Sequence, residues 1–197
     1  MSLSDELIQH LQGEPLAQIS QRLGVPQSQA ADAAQAALPL LLGALGRNAS
    51  QANGAEALFG ALQKDHAGAD PGSVLGVVLG GGGQGGQILA HVFGGRQPRA
   101  EDALGAATGL GGDRAGQLLR MLAPLVLAYL ARRLFSQQGN ASPAVLGDVL
   151  GQEQQRAIEN REGSGGLLGA VLDQDGDGKL GPSDLLKIGG GLFGGKR

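Results

Sequence analysis

The sequence predicts an all-α protein: a multihelical bundle with an internally duplicated kinked-helix core and a C-terminal EF-hand-like loop. Three observations point there. Apolar residues recur at helical spacing, while β-branched residues are few and period-two alternation is absent. A helical string with an internal proline occurs twice. Near the C-terminus, Asp173 to Asp184 reads DQDGDGKLGPSD, alternating carboxylates followed at once by a glycine.

The elements follow from local chemistry. Leu3 to Leu11 is a short helix with Ser2 or Ser4 as N-cap, stopped by Gly13. Pro15 opens a second helix through Leu23, with Leu16, Ile19 and Leu23 on one face. Gly24-Val25-Pro26 is a turn. Ser28 caps a longer helix to about Leu45, with Ala30, Ala34, Ala37, Leu41 and Leu45 as its stripe. Pro39 inside it removes a backbone donor and is expected to kink or split it. Ala55 to Leu62 is a further helix, and Ser73 to Leu79 a short apolar segment. The run Gly80 to Gly86 reads as a linker, and Gln87 to Phe93 as a helix closed by Gly94-Gly95. Ser142 and Pro143 open a helix to about Leu150.

The first pattern then returns. ALPLLLGALGR at Ala37 to Arg47 becomes LAPLVLAYLAR at Leu122 to Arg132, so that Pro39 matches Pro124 at an offset of 85 residues. Gly24-Val25 becomes Gly109-Leu110, and Ser28 becomes Asp113, at the same offset. We expect two kinked helices packed about a pseudo-twofold axis. The expected organisation is a helical domain over 1–150, with copies at about 16–47 and 101–133, a tether at 151–166 and a tail at 167–197.

The segment GGQILAHVFGG … ALGAATGL … AGQLLRMLAPLVLAYLARR, from Gly85 to Arg133, resembles the core of the YidB-like family of bacterial proteins. With the first copy, the resemblance covers roughly residues 1–150. It implies a multihelical fold and an unknown molecular function, and it brings no catalytic residues.

The chain has 197 residues, a net charge of −3 and no cysteine. Disulfides, thiolate catalysis and Cys-ligated metals are excluded. The mild charge gives no bulk attraction to nucleic acid or anionic lipid. The polar, acidic start lacks the features of a secretory signal, and a cytoplasmic location is expected. Aromatic residues are few, so the core is Ala, Leu and Val, each burying little area at about 25 cal/mol per Å². Such a thin core favours a homo-oligomer or a protein partner.

The acidic loop carries the chemistry. In an EF-hand-type loop, oxygens come from positions 1, 3, 5, 7, 9 and 12, with Gly at 6. Those positions are Asp173, Asp175 and Asp177, then Lys179 through its backbone carbonyl, a water at Gly181, and Asp184; Gly178 is sixth. Leu180 is the inward anchor. This donor set suits Ca²⁺. Asp at position 12 is one methylene shorter than the usual Glu, so the loop is closer to the dockerin-like variant. It reads as a staple for the tail.

Other patterns are weaker. Leu16 to Leu45 has the outline of a helix-turn-helix, which would make a nucleic-acid-associated regulator. Its second helix carries Gln29, Asp32 and Gln35 but no Arg or Lys before Arg47, so a packed hairpin is preferred. Gly80 to Gly86 lacks the Lys-Ser/Thr ending of a phosphate loop. Met121 to Leu130 is too short to span a membrane; Arg132-Arg133 beside Leu134 and Phe135 leaves surface contact as a lesser expectation. His91, between Leu89 and Phe93, reads as a satisfied core or interface histidine. With no nucleophile–base constellation in view, we expect a non-enzymatic structural or interaction protein.

Overall fold

Helices of very different character share the work of this fold, and the two longest lie at its centre. The computed structural model describes residues 2–51, 53–66, 73–74, 76–77, 84–136 and 141–159. Among them the ordered elements are all helical: α1 (Leu3–Leu11), α2 (Glu14–Leu23), α3 (Gln27–Ala49), α4 (Gly54–Ala61), α5 (Gly85–Phe93), α6 (Gln97–Thr108), α7 (Gly112–Ser136) and α8 (Pro143–Glu159). A π-helical turn, Leu62–His66, extends α4, and a 3-10 turn, Gly94–Arg96, joins α5 to α6.

The reasons are local at the edges and tertiary at the centre. Ser2 caps α1 in a capping box: its hydroxyl accepts from the Asp5 N–H, and the Asp5 carboxylate accepts from the Ser2 N–H. Leu3, Leu7 and Leu11 then form one buried stripe. Pro15 and Pro98 sit in the first turns of α2 and α6, where no donor is lost. Gly24 and Gly109 close those helices at φ +65° and +67°, a region that disfavours a Cβ.

In the middle of α3, Leu40 through Gly46 are all buried, and in α7 Met121 through Ala131 are all buried. A helix enclosed on all sides must be apolar all round, which is why these stretches lose their polar face. α3 packs chiefly against α8, α7, α2 and α6; α7 packs chiefly against α6, α5 and α3.

Several expectations change. Pro39 and Pro124 neither split nor end their helices, which run on as α3 and α7. Packing on every side holds the turns that each proline weakens. α3 begins after Pro26, so Ser28 and Asp113 lie inside helices and do not cap them. Gly85 and Gly86, read as linker, are the first turn of α5. A Cβ at Gly85 would overlap the Arg120 carbonyl oxygen, so this contact with α7 needs a glycine. α8 continues through Glu159, into the stretch read as a tether. Among its described side chains, Leu146, Leu150 and Glu153 are buried, the last ion-paired to Arg156.

Candidate functional site

Two places gather polar side chains against apolar surroundings: a tie between α1 and α7, and a groove beside α5.

The tie grows out of helical spacing. Glu6 and His10 are four residues apart on α1, as are Tyr129 and Arg133 on α7, so each pair shares a face. Glu6 Oε2 accepts from both the Tyr129 hydroxyl and Arg133 Nη1. The His10 ring stands edge-on to the Tyr129 ring, with centroids 5.3 Å apart. His10 Nδ1 donates to the Glu6 carbonyl at 2.8 Å; because a carbonyl only accepts, the proton is assigned to Nδ1. Burial, then the hydrogen bond to Glu6, pushes the Tyr129 phenol above its ordinary value. A phenol shifted that way keeps its proton and serves as a donor. The cluster therefore anchors α1, and its chemistry is that of a fastener.

The groove has a volume of ~360 Å³ and lies where α3, α4 and α5 diverge over α7. Leu45, Leu58, Ile88, Val92 and Leu127 give it apolar walls, and Asn48, Gln87 and His91 a polar rim. Asn48 Nδ2 donates to the His91 carbonyl at 2.9 Å, fastening the end of α3 to α5. His91 Nδ1 donates to the Gln87 carbonyl at 2.9 Å, and the residue is exposed, so of the core and interface positions expected for it the core one is removed. Among the described residues no charged side chain lines the groove. Its size is within the ~300–1,000 Å³ of small-ligand sites.

The predicted metal ligands Asp173, Asp175, Asp177, Lys179 and Asp184 lie outside the described residues. Among the described residues no group of three or more His, Asp or Glu side chains is placed to hold a metal ion. His10 and His91 serve different helices. In the helix-turn-helix outline, the exposed residues of α3 are Gln27, Ser28, Asp32 and Gln35, while its middle is enclosed in the core. No helix among the described residues is long and apolar enough to cross a membrane.

Sequence reasoning missed the tie because its partners are 123 and 127 residues apart. One signal was available: Tyr129 is the only tyrosine, in the middle of an apolar string, and a buried phenol needs a partner.

Residues 5–133 match the family described as bacterial proteins of unknown function, DUF937. The chain belongs to this family. No curated protein and no solved structure matches it. The match begins one residue before Glu6 and ends at Arg133, so the tie joins the two ends of the DUF937 region. α8 lies beyond the match and packs on α3 and α4.

Proposed function

We propose that this DUF937 protein is a non-enzymatic structural or interaction module, self-associating, whose C-terminal tail binds calcium. The observation that carries the calcium reading is the spacing of Asp173, Asp175, Asp177 and Asp184 around Gly178. Four carboxylates within twelve residues repel each other without a cation, and the glycine supplies the sharp turn that wrapping requires. The scaffold reading is supported by how the body uses its polar groups. Glu6, Tyr129 and Arg133 fasten α1 to α7, and Asn48 fastens α3 to α5.

We further infer that the body is a duplicated unit of three helices, with α1–α2–α3 answering to α5–α6–α7. LIQHLQG at Leu7 to Gly13 aligns with ILAHVFG at Ile88 to Gly94, and the closing glycines share a conformation: φ 85°, ψ −130° and φ 57°, ψ −136°.

Calorimetry of the full chain with calcium tests the main reading, alongside mass measurement in calcium and in EDTA. We expect binding that Asp173→Ala abolishes, and a mass above that of the monomer. A monomer with no calcium heat would overturn both parts. The nucleic-acid reading predicts salt-dependent binding, so a flat DNA titration at low salt removes it.

A further inference from the structure

The groove beside α5 has exposed edges and a buried floor. Ala57 and Ala61 of α4 are exposed on one side and Gln87 of α5 on the other, while Leu45, Val92 and Leu127 beneath them are buried. Among the described residues its lining carries no charge, so a charged occupant would lose its water and gain no partner. Two helices that diverge over an apolar floor, with small residues on one edge, have the form that receives the apolar face of a third helix.

The chain carries such a face within reach. α8 passes directly behind the groove: its Leu150 carbonyl oxygen lies 2.9 Å, and Gln154 Oε1 3.3 Å, from a Cβ built at Gly46, the residue after Leu45. Nearer its start, Gly147 stands against Ala55 of α4, 3.9 Å from the Ala55 Cβ to one built at Gly147. Glu159 ends α8 about 8 Å of helix beyond Gln154. Residues 160–197 follow, outside the described residues. The stretch 160–166 reaches up to about 25 Å when extended, and a helix with its side chains is about 10–12 Å across. That is enough chain to pass around α4 and arrive at the groove.

What arrives there is the stretch 166–172, GLLGAVL, which has no charge. Its Leu168, Val171 and Leu172 are spaced i, i+3 and i+4, as one helix face requires. The tail's other apolar stretch, 185–193, carries Lys187 and three consecutive glycines, and matches an uncharged groove less well.

We propose that the groove between α4 and α5 is the seat of this chain's own segment 167–172, with Leu168, Val171 and Leu172 entering it. The seat rests on apolar burial and on reach; it requires neither calcium nor self-association. Asp173 follows Leu172 directly, so seating the segment brings the acidic loop up to the body.

The chain has no cysteine, so introduced pairs report alone. Full-length Ala57→Cys/Ala170→Cys is treated in EDTA with a short bifunctional thiol reagent. Gln21→Cys/Ala170→Cys is the control, because Gln21 is exposed on α2 and α2 contributes nothing to the groove. We expect a cross-link within one chain, forming roughly tenfold faster or more than in the control. Val171→Asp changes no residue of the described body and should lower the rate to that of the control. Ala61→Asp, at the exposed edge, should do the same from the groove's side, with circular dichroism confirming that the helices are kept. A rate equal to the control overturns the proposal, as does an undiminished rate in Val171→Asp. A product joining two chains marks the tail of a second copy in the groove and also overturns it, as does a small apolar molecule retained there in native mass spectrometry. Calcium heat without the cross-link sinks the seat and leaves the calcium loop standing; the cross-link without calcium heat does the reverse.

Discussion

The first half of the molecule, α1–α3, and the second, α5–α7, run through the same order of elements and fasten their ends differently. In both, a short helix ends in a glycine, a proline opens the next, and a left-handed glycine turns the chain into a long, buried helix. Each short helix is tied to the long helix of the other half. Arg133 of α7 reaches Glu6 of α1, while Asn48 of α3 reaches the His91 carbonyl of α5. Asn48 and Arg133 are themselves 85 residues apart, at the offset that relates Pro39 to Pro124. The two residues at this offset make a charged tie in the second half and a neutral one in the first. The charged tie includes a tyrosine, where α3 has Ala44 at the same offset. The neutral tie forms the rim of the groove. The residues at the two meeting points decide whether each is closed or left open.

The largest expected effect is at the turns. Gly105 of α6 is related by the offset to Ser20 of α2, whose hydroxyl donates to the Ala17 carbonyl at 2.8 Å. The first turn is tight, with the Val25 N–H donating to the Ser20 carbonyl; the second takes one residue more, Gly111 to Gly105. That extra residue folds the Gly111 backbone over Gly105. A Cβ there would overlap the Gly111 carbonyl and lie 2.7 Å from the Gly112 nitrogen. Helix propensity alone favours Gly→Ala by about 1 kcal/mol. Backbone overlap reverses the sign, so Gly105→Ala should cost about 3 kcal/mol in denaturant unfolding. Ser20→Ala should cost about 1 kcal/mol or less. Equal losses would mean that the two turns are the same.

Much of this was legible in sequence, for a definite reason. Leu3, Leu7 and Leu11 announce α1, and the strings around Pro39 and Pro124 announce the two enclosed helices, because burial writes itself in apolar residues. The misses are places where it does not. α8 continues beyond Leu150 and buries Glu153, at 6% exposure, and a buried charge reads as solvent in a sequence. Gly85 reads as linker because close backbone contact and looseness both select glycine. The tie depends on distant pairs that no local spacing encodes. The proposed calcium loop is the converse case: its candidate ligands are neighbours in sequence, so local spacing alone suggests them.

Of intermediate size is the contrast between the ties. Tyr129→Phe removes a donor to a carboxylate that keeps its Arg133 partner, and should cost about 1–2 kcal/mol. Asn48→Ala removes a single neutral hydrogen bond and should cost about 1 kcal/mol. Denaturant unfolding of both variants ranks them. If Asn48→Ala were the worse, the groove rim would be the stronger fastening and the halves would exchange roles.

The smallest effect is also the most specific. Tyr129 is the only tyrosine and the chain has no tryptophan, so its ultraviolet titration reports the tie alone. Its phenol is shifted above the ordinary value of about 10 by burial and by Glu6. The folded state thus holds this proton more tightly than the unfolded state. The resulting stability is fully present below the unfolded pKa and is lost as pH rises through the folded one. Glu6→Gln removes the neighbouring negative charge but keeps an oxygen acceptor. The phenol should then titrate at lower pH than in the parent, with the alkaline loss of stability following it. An unmoved titration curve would place Tyr129 out of reach of Glu6 and leave α1 held by its leucines alone.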